Sequence, residues 1–172
     1  NSGQGSYING NYEISNTYNA IQSNLSFYLS NEFSLSEKFK SILGLRAENY
    51  NLYYTGQNQQ GDIVYEDENL LSELDLFPSI NLIYGLKEMS NLRFSLSRTI
   101  ARPSFKEKSI AQIFDPVTST TFIGNIDILP TKILNYDLRW ELFQEDAQMY
   151  AISLFYKDFK NPIELVVYNG AS

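Results

Sequence analysis

Two stretches decide the reading of this chain: NLRFSLSRTIA at residues 91–101 and NYDLRWELF at residues 135–143. In the first, Leu92, Phe94, Leu96 and Ile100 fall on one parity, and Arg93, Ser95, Ser97 and Thr99 on the other. In the second, Tyr136, Leu138, Trp140 and Leu142 alternate with Asn135, Asp137, Arg139 and Glu141. A period of two belongs to an extended strand with one apolar and one polar face. Between them runs RPSFKEKSIAQIFDPVTSTTFIGNIDILPT, residues 102–131, far longer than an ordinary hairpin connection.

Outward from these stretches the same pattern returns. Ile21, Leu25, Phe27 and Leu29 alternate with Gln22, Asn24, Ser26 and Ser30. After the tight polar turn SLSEK (34–38), Phe39, Leu43, Leu45 and Ala47 face one way and Lys40, Arg46 and Glu48 the other. Residues 53–75 show no sustained period and are expected to form a long polar loop. Ile80, Leu82, Tyr84 and Leu86 then alternate with Ser79, Asn81 and Gly85, and the turn LKEMSN (86–91) leads into the strand at 91–101. Beyond residue 143, QEDAQ (144–148) turns the chain into Tyr150, Ile152, Leu154 and Tyr156. About six antiparallel strands result, with residues 1–17 reading as the end of a loop. Pro78, Pro103, Pro116, Pro130 and Pro162 are expected at segment edges or in loops, because strand interiors exclude proline.

Composition narrows the function. A formal charge of −7 without clustered Lys or Arg argues against nucleic acid. The chain has no Cys and no His, which removes thiolate chemistry, imidazole bases, disulfides and the commonest zinc ligands. No enzyme, cofactor or metal centre is expected: the carboxylates and serines form no legible catalytic pair. No apolar run reaches the roughly 20 residues of a membrane helix, and the opening NSGQGSYING lacks the basic and apolar regions of a signal peptide. A β-barrel needs only about 9–11 alternating residues per strand. The aromatic share of 15%, with 13 Tyr and 11 Phe, suits membrane–water boundaries, where a ring with a polar tip is satisfied at both ends.

Periodicity alone leaves two homes for the apolar faces, the inside of a soluble sandwich and the hydrocarbon of a membrane. Loop lengths favour the membrane. SLSEK, LKEMSN and QEDAQ would share one rim, and the connections of about 20 and 30 residues the other, as in outer-membrane barrels. Lys40, Arg46, Glu48, Arg93, Asp137, Arg139 and Glu141 would then line a wet interior. Arg98 is the exception, sharing the parity of Leu96 and Ile100. A lipid-facing Arg costs about 2–4 kcal/mol at the bilayer midplane and about 0–1 near the interface, so it is expected at the outer rim or after a bulge.

With the strands placed, SRTIARPSF (97–105), GNIDILPTKILNYDLRWELF (124–143), ISLFYKDFKNPIE (152–164), ILGLRAENY (42–50) and DLFPSINLIYGL (75–86) can be taken together. Taken in chain order they resemble part of the C-terminal β-barrel of TonB-dependent outer-membrane receptors, particularly the Bacteroidetes-type group. The resemblance covers the chain from about residue 18 onward and implies an all-β fold, an antiparallel up-and-down transmembrane β-barrel segment with short periplasmic turns and long extracellular loops. It implies a place in the bacterial outer membrane, contact with outer-membrane lipid, and a role in importing a scarce ligand. It also implies partners: the plug and remaining barrel strands of the receptor, TonB through an N-terminal part, and, for some members, a surface lipoprotein. Residues 1–172 would be one part of such a barrel domain.

Candidate ligand-binding residues are the aromatics of the long loops, Tyr53, Tyr54, Tyr65, Phe114 and Phe122, which can stack on a sugar or siderophore or simply pack the loops. Trp140 and Tyr156 share the apolar parity and are expected against lipid. Asp62, Glu66, Asp67 and Glu68 form an acidic run without EF-hand order, better read as a solvated loop than as a calcium site. Arg102-Pro103-Ser104-Phe105 is read as architectural, Pro ending the ladder and Phe packing at the rim. The alternatives are a complete small outer-membrane barrel and a soluble β-sandwich that binds carbohydrate.

Overall fold

The computed structural model describes residues 18–58, 61, 63–115, 117–145 and 147–167. These form eight strands: β1 (Tyr18–Ser36), β2 (Phe39–Gln57), β3 (Val64–Lys87), β4 (Ser90–Ala101), β5 (Gln112–Asp115), β6 (Thr120–Ile123), β7 (Thr131–Phe143) and β8 (Met149–Lys160). Six of them make one antiparallel sheet in the order β1-β2-β3-β4-β7-β8. β5 and β6 pair separately, as a small hairpin inside the connection from β4 to β7. The expected count of six holds for the wall, and the connection expected as a plain loop carries two further short strands. Among the described residues β1 pairs only with β2 and β8 only with β7, and the sheet does not close on itself. The loop expected over residues 1–17, Asp62 and Pro116 lie outside the described residues.

All three short turns lie on one rim. Glu37 and Lys38 join β1 to β2, Glu88 and Met89 join β3 to β4, and residues 144–148 join β7 to β8. Neighbouring turns are tied together: the Gly85 N–H donates to Lys38 O over 2.8 Å, and the Phe143 N–H to Met89 O over 2.8 Å. The other rim carries the connections from β2 to β3 and from β4 to β7.

Residues 53–75 correct the sequence reading. They are mostly strand: β2 runs to Gln57 and β3 starts at Val64, so the true connection is residues 58–63. The period was lost because the apolar parity changes face within β2. Below Glu48 the outward residues Leu43, Leu45 and Ala47 are apolar, whereas above it the inward Tyr50, Leu52 and Tyr54 are apolar and buried. Two register shifts, at Leu52/Tyr53 and Tyr54/Gly56, break the phase again. At the second, Asp67 adopts φ 51° and its N–H donates to Thr55 Oγ1 over 3.0 Å. Pro78 is the second correction, since it lies inside β3 rather than at a segment edge. It is tolerated because the β3–β4 ladder ends at the adjacent pair Ser79↔Ser97, where one side of β3 no longer needs a donor.

Burial is inverted relative to a soluble sheet. Outward residues such as Leu25 (74%), Leu74 (74%) and Leu154 (66%) are exposed, while the inward Glu48 (6%) and Asp75 (4%) are buried. Such a face is stable only where apolar solvent covers it. The upper boundary of that face also slants. The row of Tyr156 runs through Tyr136, Leu96, Ile80 and Leu43 to Asn31 on β1, yet outward apolar residues continue on β1 through Leu29 and Phe27 to Leu25, six residues beyond Asn31. Strands about 4.8 Å apart and tilted about 40° shift a horizontal boundary by roughly six residues over five strand steps. The sheet is therefore tilted as a barrel wall must be.

Aromatic residues mark both ends of the band. Phe39 and Tyr84 face each other with centroids 6.4 Å apart, and the Trp140 indole N–H donates to Ser90 Oγ over 3.0 Å. Tyr136 and Tyr156 pair at 5.9 Å toward the other rim. Arg98 lies above that pair, in one row with Leu134 and Asp158, three residues from the end of β4, and no register shift separates it from Leu96. Of the two placements expected for it, the rim is the one found.

Position on the band sets the cost of a charge. Phe94→Arg, two rows below Arg98, is expected to lose about 2–4 kcal/mol of folding stability in lipid vesicles, whereas Ser97→Arg on the inward face loses under about 1 kcal/mol. Urea unfolding of the protein in lipid vesicles measures both.

Candidate functional site at the long-connection rim

Above Ser79↔Ser97, β3 stays with β2 while β4 continues along β7, and a gap opens in the wall. Glu48 and Asp75 sit directly opposite each other on β2 and β3 at this gap, two buried carboxylates that would repel. Arg102, the first residue after β4, resolves the conflict. Its Nη1 donates to Glu48 Oε2 over 2.8 Å and its Nη2 to Asp75 Oδ2 over 3.0 Å, while the guanidinium lies over the Tyr50 ring at 4.3 Å. A planar fork can hold two carboxylates in this way and a lysine cannot. Arg46 Nε approaches Glu48 Oε1 at 3.3 Å and Lys132 Nζ approaches Asp75 Oδ1 at 4.0 Å, so three cations surround two anions.

The inward face nearer the short turns repeats the theme. Arg93 and Arg139 are cross-strand partners of like charge, and Glu141 binds both: Arg93 Nε at 2.7 Å and Arg139 Nε at 2.8 Å. Ser95 Oγ donates to Asn81 Oδ1 over 2.6 Å, and Asn135 Nδ2 to Thr99 Oγ1 over 3.0 Å. This is a polar interior wall with its charges paired along and across strands.

From Arg102 the β4–β7 connection folds inward against β2 and β3. A single turn follows, capped reciprocally: the Ser104 N–H donates to Glu107 Oε2 over 2.6 Å and the Glu107 N–H to Ser104 Oγ over 3.3 Å. Ser109 is fully buried and shares a 3.2 Å hydrogen bond with the Tyr54 hydroxyl. Lys108 Nζ donates to Ile126 O over 2.6 Å; burial pushes its pKa below that of an ordinary lysine, against the opposing pull of Asp127 and Glu73. Gly124 is pressed against the carbonyls of Lys106, Glu107 and Ser109, where any Cβ would collide. The Asn125 N–H donates to Glu107 O over 2.7 Å, and Thr131 Oγ1 to Asn161 O over 2.7 Å. The Gly-Asn element thus closes the connection on its own first turn, and Thr131 ties the start of β7 to the residue after β8.

The five candidate aromatics do not converge. Tyr54 is only 2% exposed, stacked on Tyr18 at 5.8 Å and edge-on to Tyr65 at 6.1 Å. Tyr53, on the opposite parity, and Tyr65 are half-buried. Phe122 is half-buried beneath Lys106 Nζ at 4.3 Å, whereas Phe114 on the neighbouring strand is 61% exposed. Phe122 also lines an open cleft of about 680 Å³ between the β5–β6 hairpin and the segment after β8, together with Ile123, Asn125, Ile163 and Glu164. Glu66, Asp67 and Glu68 are exposed on β3, and no acidic group among the described residues gathers to hold a metal. Sequence reading missed the fork of Arg102 and the burial of Ser109. The Arg-Pro-Ser-Phe run after a strand marked the ladder's end, but no signal paired it with Glu48 and Asp75.

A family model described as TonB dependent receptor-like, β-barrel, matches residues 1–172. The chain belongs to that family. Among curated proteins no match is found. TonB-dependent receptors are outer-membrane transporters whose barrels work with the rest of the receptor and with TonB. In outer-membrane barrels the short turns lie on the periplasmic side and the long connections on the extracellular side.

Removing Arg102 leaves two buried carboxylates facing each other. Arg102→Ala is expected to destabilise the docked connection by about 3–5 kcal/mol, seen as faster amide exchange and proteolysis across residues 102–130. Adding Glu48→Gln and Asp75→Asn to that variant should recover most of the loss.

Proposed function

We propose that this chain forms part of the barrel wall and extracellular loops of a TonB-dependent transporter of the Bacteroidetes-type group, importing a scarce ligand such as a siderophore or a glycan. The plug and the remaining strands come from the rest of the receptor, and TonB acts through its N-terminal part. The observation that supports this reading is the inverted burial of a tilted sheet, apolar outside and charged inside, with its one long connection, from β4 to β7, on the rim opposite the three short turns. Residues 1–172 are then one portion of the barrel domain. A soluble carbohydrate-binding sandwich fits less well, because it would have to cover the outward face from Leu25 to Leu154 with a second layer. A complete small barrel would have to pair β1 with β8.

Phe114 is the most accessible of the candidate aromatics and, with the cleft beside Phe122, is where a ligand entering the mouth would first find a stacking surface. Cells carrying the full-length gene are expected to accumulate a labelled ferric siderophore or a fluorescent oligosaccharide only while the proton-motive force is intact. Phe114→Ala should weaken that uptake about tenfold, matching the roughly 1–2 kcal/mol of a lost aromatic contact. Uptake of both probes that ignores an uncoupler, or a native protein no larger than these 172 residues, would exclude the proposal.

A further inference from the structure

β3 keeps β2 as far as Val64 but keeps β4 only as far as Ser79, so its side above Ser79 is a bare edge inside the wall. On the reading proposed above, the outer sides of β1 and β8 face further barrel strands. The bare side of β3 does not, because both its neighbours are strands of this chain. Backbone phase tells which groups that side presents. The Gly85 N–H donates to Lys38 O on the β2 side, and the β2–β3 register runs without a shift from Tyr84 to Leu71. Odd-numbered residues of this stretch thus give their backbone groups to β2, and even-numbered ones turn them to the β4 side. Pro78 fits, because it has no N–H to leave unpaired there. Above it the N–H and C=O of Ser72, Leu74 and Leu76 point into the gap and make no backbone hydrogen bond among the described residues.

This edge stands clear of hydrocarbon. With a slant of about six residues per five strand steps, the level of the Tyr136–Tyr156 pair rises by about four residues from β8 to β3, from the row of Ile80 to Leu76. Bare peptide groups are wet at that height and would be untenable below it. On the outward face Leu74 and Leu76 are exposed. On the inward face Glu73 Oε2 is buried with no hydrogen-bond partner among the described residues, and the neighbouring Lys108 gives its ammonium to Ile126 O. Arg98, Arg102 and Lys132 stand at the foot of the gap, the last two against Glu48 and Asp75. From Glu73 back to Val64, β3 carries Glu73, Glu68, Asp67 and Glu66 and no cation, and β2 beside it carries no charge from Asn49 to Gln57.

We infer that the edge at Ser72–Leu76 docks an extended segment of a partner polypeptide in which apolar residues alternate with Lys or Arg. The segment adds as a further strand. Its peptide groups take up those of Ser72, Leu74 and Leu76, its outward residues cover Leu74 and Leu76, and an inward cation reaches Glu73. The acids toward Val64 draw the same segment in along β3. The outer-membrane reading sets the height of this edge, and the pairing itself rests on the register.

The protein, reconstituted in phosphatidylcholine nanodiscs, is titrated with a fluorescent peptide of alternating Val and Lys, its fully N-methylated counterpart and a version with Glu in place of Lys. Anisotropy reads the affinity. The Lys peptide is expected to bind about 100-fold more tightly than the N-methylated one, which donates no backbone hydrogen bond. Leu74→Pro removes one gap-facing N–H and, like Pro78, leaves the β2–β3 ladder whole; it should weaken binding about tenfold. Glu73→Gln should weaken it about fivefold. Amide exchange at Ser72, Leu74 and Leu76 of the wild type should slow when the peptide is bound. Equal affinity for the N-methylated peptide, or unchanged exchange at those amides, overturns strand addition. Wild-type affinity in Leu74→Pro puts the peptide elsewhere and overturns the site. Equal binding of the Glu version overturns the basic character assigned to the partner. A protein that does not enter the nanodisc overturns the membrane reading alone, and the same titration in buffer then decides the edge.

Discussion

Hydrocarbon offers no hydrogen bonds, and nearly every feature of this chain follows from that. A strand that crosses it must give each backbone N–H and C=O to a neighbour and turn apolar side chains outward. The wall from β1 to β8 does both, with continuous antiparallel ladders and an outward face of Leu, Ile, Phe and Tyr. What remains for the inward face is the polar half of each alternation. Confined against one another, the buried ones among them are paired, as in Arg93–Glu141–Arg139 and in the cluster of Arg46, Glu48, Arg102, Asp75 and Lys132. The fold has no sizeable apolar core among its described residues; the one small cluster, around Tyr50, Leu52 and Leu71, lies where the β4–β7 connection covers the wall.

The short motifs at Arg102–Phe105 and Gly124–Thr131 acquire separate physical roles. Arg102 neutralises two opposed carboxylates at the gap. Gly124 permits a backbone approach that no other residue allows, and Thr131 ties the start of β7 to Asn161. Between them they hold the β4–β7 connection in its fold and against the wall.

Sequence alone revealed the strands within the band, because there one face meets hydrocarbon and the other meets charge. Leu92 to Ile100 and Tyr136 to Leu142 carry that contrast at every step. It failed above Glu48, where β2 and β3 leave the bilayer and the connection covers the inward face, so that Tyr50, Leu52 and Tyr54 reverse the phase. Pro78 misled for a related reason: its tolerance depends on where a neighbouring ladder stops, which no local pattern records. Tyr54 illustrates the limit for the site. Its ring and hydroxyl are occupied by Tyr18, Tyr65 and Ser109, residues brought to it only by folding.

The β3–β4 ladder, confined to the pairs from Lys87↔Ser90 to Ser79↔Ser97, is the shortest in the wall. In mechanical terms it is a seam. A pull along the barrel axis loads the other ladders in shear over many bonds at once, but it can pry this one open from its upper end. Arg102 sits at that end, rooted in β4 and gripping β2 and β3. It works as a rivet at the tip of a crack, placed where a tear would otherwise begin.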